Sequence, residues 1–230
     1  EGSLYNHEPP SFQITIYQEG VTTPTWFKNA IIYQIFPDRF YRDNKLMLTD
    51  KKNRLLHGSW QSKPIYFKDV KTKDIIAYDF FGGNLAGIIA KLPYLKELGI
   101  SVIYLNPIFE AQSNHRYDTG DYHKIDEWLG DLNTFKMLCQ EANKVGIAIF
   151  LDGVFSHTGS DSKYFNKEGT YETLGAYQSK KSPYYSWYCF EDYPDKYQSW
   201  WGFDTLPNVN ELDLQYQDFI INNNESVLKY

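Results

Sequence analysis

Apolar positions along this chain follow two alternating rhythms. Leu85, Ile88, Leu92 and Leu95 recur at helical spacing, Gly99 interrupts them, and the run Ser101–Leu105 (SVIYL) follows. The same order returns with Phe135, Leu138, Cys139, Ala142 and Val145, then Gly146, then Ile147–Leu151 (IAIFL). Short apolar runs without polar alternation read as strands buried on both faces of a parallel sheet. Asn84, after Gly82-Gly83, and Asp131 stand where helix caps are expected, and the two glycines stand at the stops. Pro93 should kink the first helix or start a second segment. Ala30–Phe36 (AIIYQIF) is another buried-strand run, closed by Pro37. A repeated helix–Gly–strand unit is the mark of a parallel α/β fold. A dinucleotide-binding sheet competes with a barrel, but no strand leads into G-x-G-x-x-G, which favours the barrel.

Two stretches lack either rhythm. Residues 42–78 are polar, Lys-rich and poorly periodic, and read as a long surface excursion. Residues 158–207 hold Tyr and Trp side chains at no regular spacing, directly after the third strand, on the face where barrel loops build sites. These rings either form a small core of their own or present a binding surface. Phe12–Tyr17 alternates like an edge strand, so residues 1–25 read as the tail of a preceding β-domain and a linker. Residues 26–157 are then the first three βα units, 158–207 an insertion, and 208–230 a return to the barrel with the start of another helix.

Composition narrows the function. A net charge of −6 argues against nucleic acid as a partner. No apolar run reaches the roughly 18 residues of a membrane span, and no signal segment opens the chain. Glu1–Pro10 reads as a cut within a longer protein, which leaves an extracellular and a cytoplasmic location both open. Cys139 and Cys189 fit no metal spacing, and Cys139 is expected in the core. The 18% aromatic content, with 20 Tyr and 6 Trp, suits the binding of amphipathic ligands such as sugars. Asp152 and His157, at and beyond the end of the third strand, are candidate site residues; the structural alternative is a loop cap and a satisfied histidine.

Three stretches carry a resemblance. YQIFPDRF (Tyr33–Phe40), NPIFEAQSNHRYDTGDYHKID (Asn106–Asp126) and LDGVFSHTG (Leu151–Gly159) resemble the first-, second- and third-strand motifs of the α-amylase family of glycoside hydrolases, nearest to its neopullulanase, cyclomaltodextrinase and amylopullulanase branch. WWGFDTLPNVN (Trp200–Asn210) resembles the motif by which that family's inserted domain B rejoins the barrel. The resemblance implies the first part, about three strands, of a (β/α)8 TIM barrel and retaining hydrolysis of α-1,4 and perhaps α-1,6 glucosidic bonds in starch, pullulan, maltooligosaccharides or cyclodextrins. It implies that Tyr117 stacks on the sugar at the cleavage point and that His157 hydrogen-bonds a sugar hydroxyl. Asp152 would organise the rim beneath, His115 would also reach the sugar, and Trp201, with Trp200, would floor an outer position. Asp118 and Asp121 would hold the second loop through backbone amides.

Ser156 stands where the family often has an asparagine that ligates calcium, and Arg42-Asp43-Asn44-Lys45 with Asn84 lacks a carboxylate that relatives use. A hard cation wants six or more oxygens, which leaves calcium possible but unsupported, and no cofactor is expected. A retaining glycosidase needs two carboxyl groups about 5 Å apart. In this family they follow the fourth and fifth strands, so none of the catalytic residues is expected in this chain. The remainder of the barrel is expected as a second chain or as further sequence. A non-catalytic amylase-like interaction protein and a carbohydrate-binding fragment are the alternatives.

Overall fold

The computed structural model describes residues 20–46, 48–49, 53–71 and 75–230. The edge strand expected at Phe12–Tyr17 lies outside them. Of a first unit, Glu1–Ala30, one short helix is described, α1 (Thr25–Lys28). The second unit, Ile31–Tyr230, carries β1 (Ile32–Ile35), β2 (Arg54–Leu56), β3 (Phe67–Lys68), β4 (Ile75–Phe80), α2 (Leu85–Glu97), β5 (Val102–Leu105), β6 (Phe109–Ala111), β7 (Thr119–Ile125), α3 (Leu132–Lys144), β8 (Ala148–Leu151), β9 (Phe190–Asp192), β10 (Lys196–Tyr197) and α4 (Leu214–Gln217).

The three apolar runs pair as a parallel sheet in the order β1-β5-β8. Ile35, Leu105 and Leu151 are in register, so the three carboxyl ends stop at one level. The helices that cross between them end alike. Gly99 and Gly146 take φ of +84° and +75°, which a side chain would resist. Ile100 N–H then donates to Leu95 O (3.0 Å) and Ile147 N–H to Ala142 O (2.9 Å), the closing bonds of a Schellman motif. At the other ends Asn84 accepts from Gly87 N–H (2.8 Å) and Asp131 from Thr134 N–H (2.7 Å), satisfying donors the helix cannot. Of the two outcomes expected at Pro93, a second segment does not start, since α2 runs through it as one helix.

The core between helices and sheet is aliphatic: Leu85, Ile88, Leu92 and Leu95 of α2 pack with Ile103, Leu105, Leu138, Ala142 and Ile147. Burying each such leucine or isoleucine is worth about 1.5–3 kcal/mol. Cys139 is half-buried rather than core. The expectation that Ile147–Leu151 is buried on both faces also needs correction, because Leu151 is 40% exposed. Among the described residues β8 pairs on one side only, with β5, so its outer side has no cover.

Residues 42–78 are not simply a surface excursion. Their described part forms a small mixed sheet, β2-β4-β3, and sends Arg54 into the interior. Its guanidinium pairs with Asp126 (2.7 Å) and donates to Ala111 O. A buried cation without partners would be prohibitive, so this contact pins the excursion to the β6–β7 hairpin.

A second core is aromatic. Tyr164, Phe165, Trp187, Tyr188 and Tyr197 of the insertion pack with Tyr122 of β7 and with Val209, Tyr216, Ile220 and Val227 of the returning segment. The insertion's ends meet, since His157 and Asn208 form an antiparallel bridge.

Candidate functional site

The carboxyl ends of the three strands stop at one shared level. Asp152 follows β8 and Asn106 follows β5, where Gln34 of β1 donates to the Asn106 side chain (2.8 Å). The loop of residues 112–118 joins β6 to β7. Asp118 accepts from the backbone N–H groups of Gln112 (3.2 Å) and Ser113 (3.0 Å) and from the Ser113 hydroxyl. Arg116 takes a left-handed φ of +60°, uncommon for a residue with a side chain. It is 1% exposed, and its guanidinium is held by Asp126 (3.1 Å) and by Asn114 O (2.8 Å). This buried anchor turns the chain so that its neighbours on both sides, His115 and Tyr117, line a common cavity.

The cavity holds about 1020 Å³. Tyr117, His115 and His157 line it together, with Trp200 and Phe203 near the end of the insertion. Asp152 does not line it; it accepts the Tyr117 hydroxyl (2.9 Å) from behind and so fixes the ring. Burial, then this bond to Asp152, pushes the Tyr117 hydroxyl up to about 12, so it stays a donor. Burial lowers both histidines below their ordinary value, His115 and His157 alike, which keeps them neutral at pH 7. His157 Nε2–H donates to Tyr117 O (3.1 Å), and Ser156 Oγ sits 3.1 Å from Nδ1. Both ring nitrogens are thus engaged, and a sugar hydroxyl would have to share one of them. His115 Nδ1 accepts from Tyr117 N–H (3.2 Å).

Trp201 lies outside the cavity lining and is 83% exposed. Its left-handed φ of +51° swings it outward, where it stacks on Trp200 at 4.8 Å and 2°. Trp200 in turn lies 5.5 Å from the His157 ring and takes the lining position expected of the pair. Asp121 binds His123 N–H (3.0 Å) and Lys163 (2.7 Å) and stays away from the cavity.

Several lining residues were not foreseen: Ile75, Ile76 and Tyr78 of β4, and Gln112, Asp161 and Glu168. The run IIAYDF at 75–80 was the available signal for the first three. Burial, with the charges of Asp118 and Glu168, pushes Asp161 up to about 7. Asn84 Oδ1 accepts from Gly87 N–H (2.8 Å) and Asp43 N–H (3.2 Å), and its Nδ2 donates to Asp43 O (2.8 Å), so this side chain ties the start of α2 to the loop after β1. Among the described residues no group of three His, Cys, Asp or Glu side chains could hold a metal ion, and no helix is long and apolar enough to cross a membrane.

Residues 34–219 match the family model described as alpha amylase, catalytic domain. The chain is 46% identical to an amylopullulanase of Thermoanaerobacter thermohydrosulfuricus, over 100% of this chain and 17% of that protein. It is 45% identical to neopullulanase 2 of Thermoactinomyces vulgaris, over 61% of this chain and 22% of that protein. Among solved structures it is similar to the cyclic alpha-maltosyl-(1→6)-maltose hydrolase of Arthrobacter globiformis, in complex with that cyclic sugar, at a TM-score of 0.70 and 35% identity over 86% of this chain and 41% of that one. The chain thus spans under a quarter of the length of the curated relatives it matches. With 186 of its residues, 34–219, inside the family model, the chain belongs to the α-amylase catalytic-domain family.

Proposed function

We propose that this chain supplies the sugar-gripping half of an α-glucan hydrolase of the retaining type, and that β1, β5 and β8 are three strands of a (β/α)8 barrel whose other strands bring the cutting residues. The observation that carries this is the cavity shared by Tyr117, His115 and His157, with Asp152 fixing the tyrosine from behind. An aromatic face beside fixed polar groups suits a pyranose ring, which is apolar on its faces and hydroxylated at its edge. The similar proteins whose names mention pullulan or cyclic maltosyl-maltose point to the same ligand class.

The carboxylates of the site serve other ends. Asp152 is bonded to Tyr117, and Asp118 accepts three hydrogen bonds from its own loop, which makes it a poor nucleophile. The nucleophile and the acid therefore come from the remaining strands, as a second chain or as further sequence. The one-sided pairing of β1 and β8 among the described residues, with Ile32 and Leu151 exposed, offers the edges on which those strands would pair.

The test is hydrolysis of maltooligosaccharides by the protein with its barrel complete, followed by NMR of the first product. Release of the α anomer, with kcat/KM reduced in His157→Ala, is the expected result. Release of the β anomer, or no hydrolysis, would overturn the reading.

A further inference from the structure

Part of the cavity wall is an exposed turn of the insertion, residues 166–171, from which Glu168 and Thr170 line the space. The turn is stiff within itself. Asn166, fully buried with a left-handed φ of +54°, accepts from Tyr171 N–H (3.1 Å) and donates to Tyr171 O (2.7 Å) and Thr173 O (2.7 Å). At its base Lys167 N–H donates to Ser160 O (2.9 Å), and the Ser160 hydroxyl donates to Glu168 (2.7 Å). At its far end the Tyr171 hydroxyl donates to Glu110 Oε1 (2.7 Å), a residue of β6. Taking the cavity as a glucan cleft, the reading given above, we propose that Tyr171 and Glu110 are positioning residues: their bond latches the turn to the β6–β7 hairpin and so sets the width of the cavity before substrate arrives.

The contact is built rather than incidental. Glu110 is 8% exposed, and Lys124 of β7 pairs with its other oxygen, Oε2, so the carboxylate is aimed from one side and met by the tyrosine from the other. The backbone of β7 makes room for that meeting, since a Cβ on Gly120 would stand 2.7 Å from the Tyr171 hydroxyl. Burial, then the bond to Glu110, pushes this hydroxyl well above its ordinary value, so it remains a donor. Packing does not hold the tip in its stead. Residues 168–170 are exposed, and a Cβ on Gly169 would meet nothing within 4 Å. One net hydrogen bond shifts a latched-to-unlatched equilibrium by about fivefold. A ligand that needs the latched arrangement binds more weakly in proportion to the share of molecules that have left it, while the step after binding keeps its rate.

The experiment measures KM and kcat separately on maltohexaose for the protein with its barrel complete, beside hydrogen exchange of the 166–171 amides. Tyr171→Phe keeps the ring and leaves Glu110 paired with Lys124. It should raise KM about fivefold with kcat changed less than about twofold, speed exchange in the turn, and leave the melting temperature near that of the parent. Gly120→Ala, whose methyl group would displace the hydroxyl, should raise KM likewise. In the double variant the two effects should not add, because both break one bond. Unchanged exchange, unchanged KM, a loss carried by kcat, or additive effects would overturn the latch. Tyr117→Ala keeps this apart from the reading beneath it: unchanged kinetics there would remove the glucan cleft, while exchange in Tyr171→Phe reports the latch without any substrate.

Discussion

The aliphatic and the aromatic core of Ile31–Tyr230 are held by different physics. Around α2, α3 and β5 the buried side chains are Leu, Ile and Ala, and the backbone already satisfies itself in helices and ladders. Around the aromatic core few such ladders exist, and the tyrosines fix the backbone one bond at a time. The Tyr122 hydroxyl donates to Val154 O (2.5 Å), that of Tyr216 to Phe155 O (2.8 Å) and that of Tyr197 to Asp204 O (2.7 Å). An aliphatic core stabilises through volume and tolerates some repacking. An aromatic core with directed hydroxyls sets where loops sit, which is what a cleft needs when its walls are loops.

The sharpest way to probe the contrast is the ion triad that belongs to neither core. Burial opposes ionisation of Asp126, but Arg116 and Arg54 outweigh it and hold the carboxyl well below the ordinary range. Asp126→Asn leaves two buried guanidinium groups short of a counter-ion and should cost about 3–5 kcal/mol in urea unfolding. Because the folded-state pKa is depressed, the stability it gives is present above the unfolded value near 3.9 and is lost as pH falls through the folded one. Leu95→Ala, in the aliphatic core, should cost about 2–5 kcal/mol by the same measurement. Tyr216→Phe keeps the ring and removes one directed bond, leaving Phe155 O unpaired. About 1–3 kcal/mol of stability is expected to go. Loss equal to that of Leu95→Ala would erase the distinction between the two cores.

Asp161 gives the smallest effect and the opposite sign. Its folded pKa is raised, so its favourable contribution is complete below the unfolded value and fades as pH rises through about 7. Asp161→Asn should therefore gain melting temperature relative to the parent at pH 8 and show little difference at pH 4. A gain at pH 4 that vanishes at pH 8 would place the carboxyl in a different environment.

What could be read from the chain follows the same division. Leu85, Ile88, Leu92 and Leu95 repeat because one helix face is buried, and burial on one face leaves a periodic trace; the caps at Asn84 and Asp131 and the glycine stops are local for the same reason. Tyr117, His115 and His157 were legible through motifs, and the cavity brings those three together. Arg54 was not, because its partner Asp126 lies 72 residues away and nothing local announces the pair. Tyr78 and Asp161 were missed likewise: the wall they share is assembled from a strand and a loop with no common period. Trp200 and Trp201 could be told apart only by backbone geometry, since the left-handed turn at Trp201 decides which indole faces inward.

The grip of Tyr117 on a sugar is the central claim, and kcat/KM on maltohexaose for Tyr117→Ala, with the barrel complete, tests it most directly. Removing the ring should lower kcat/KM by on the order of tenfold or more, while the melting temperature stays near that of the parent. Unchanged kinetics in a folded variant would contradict the claim.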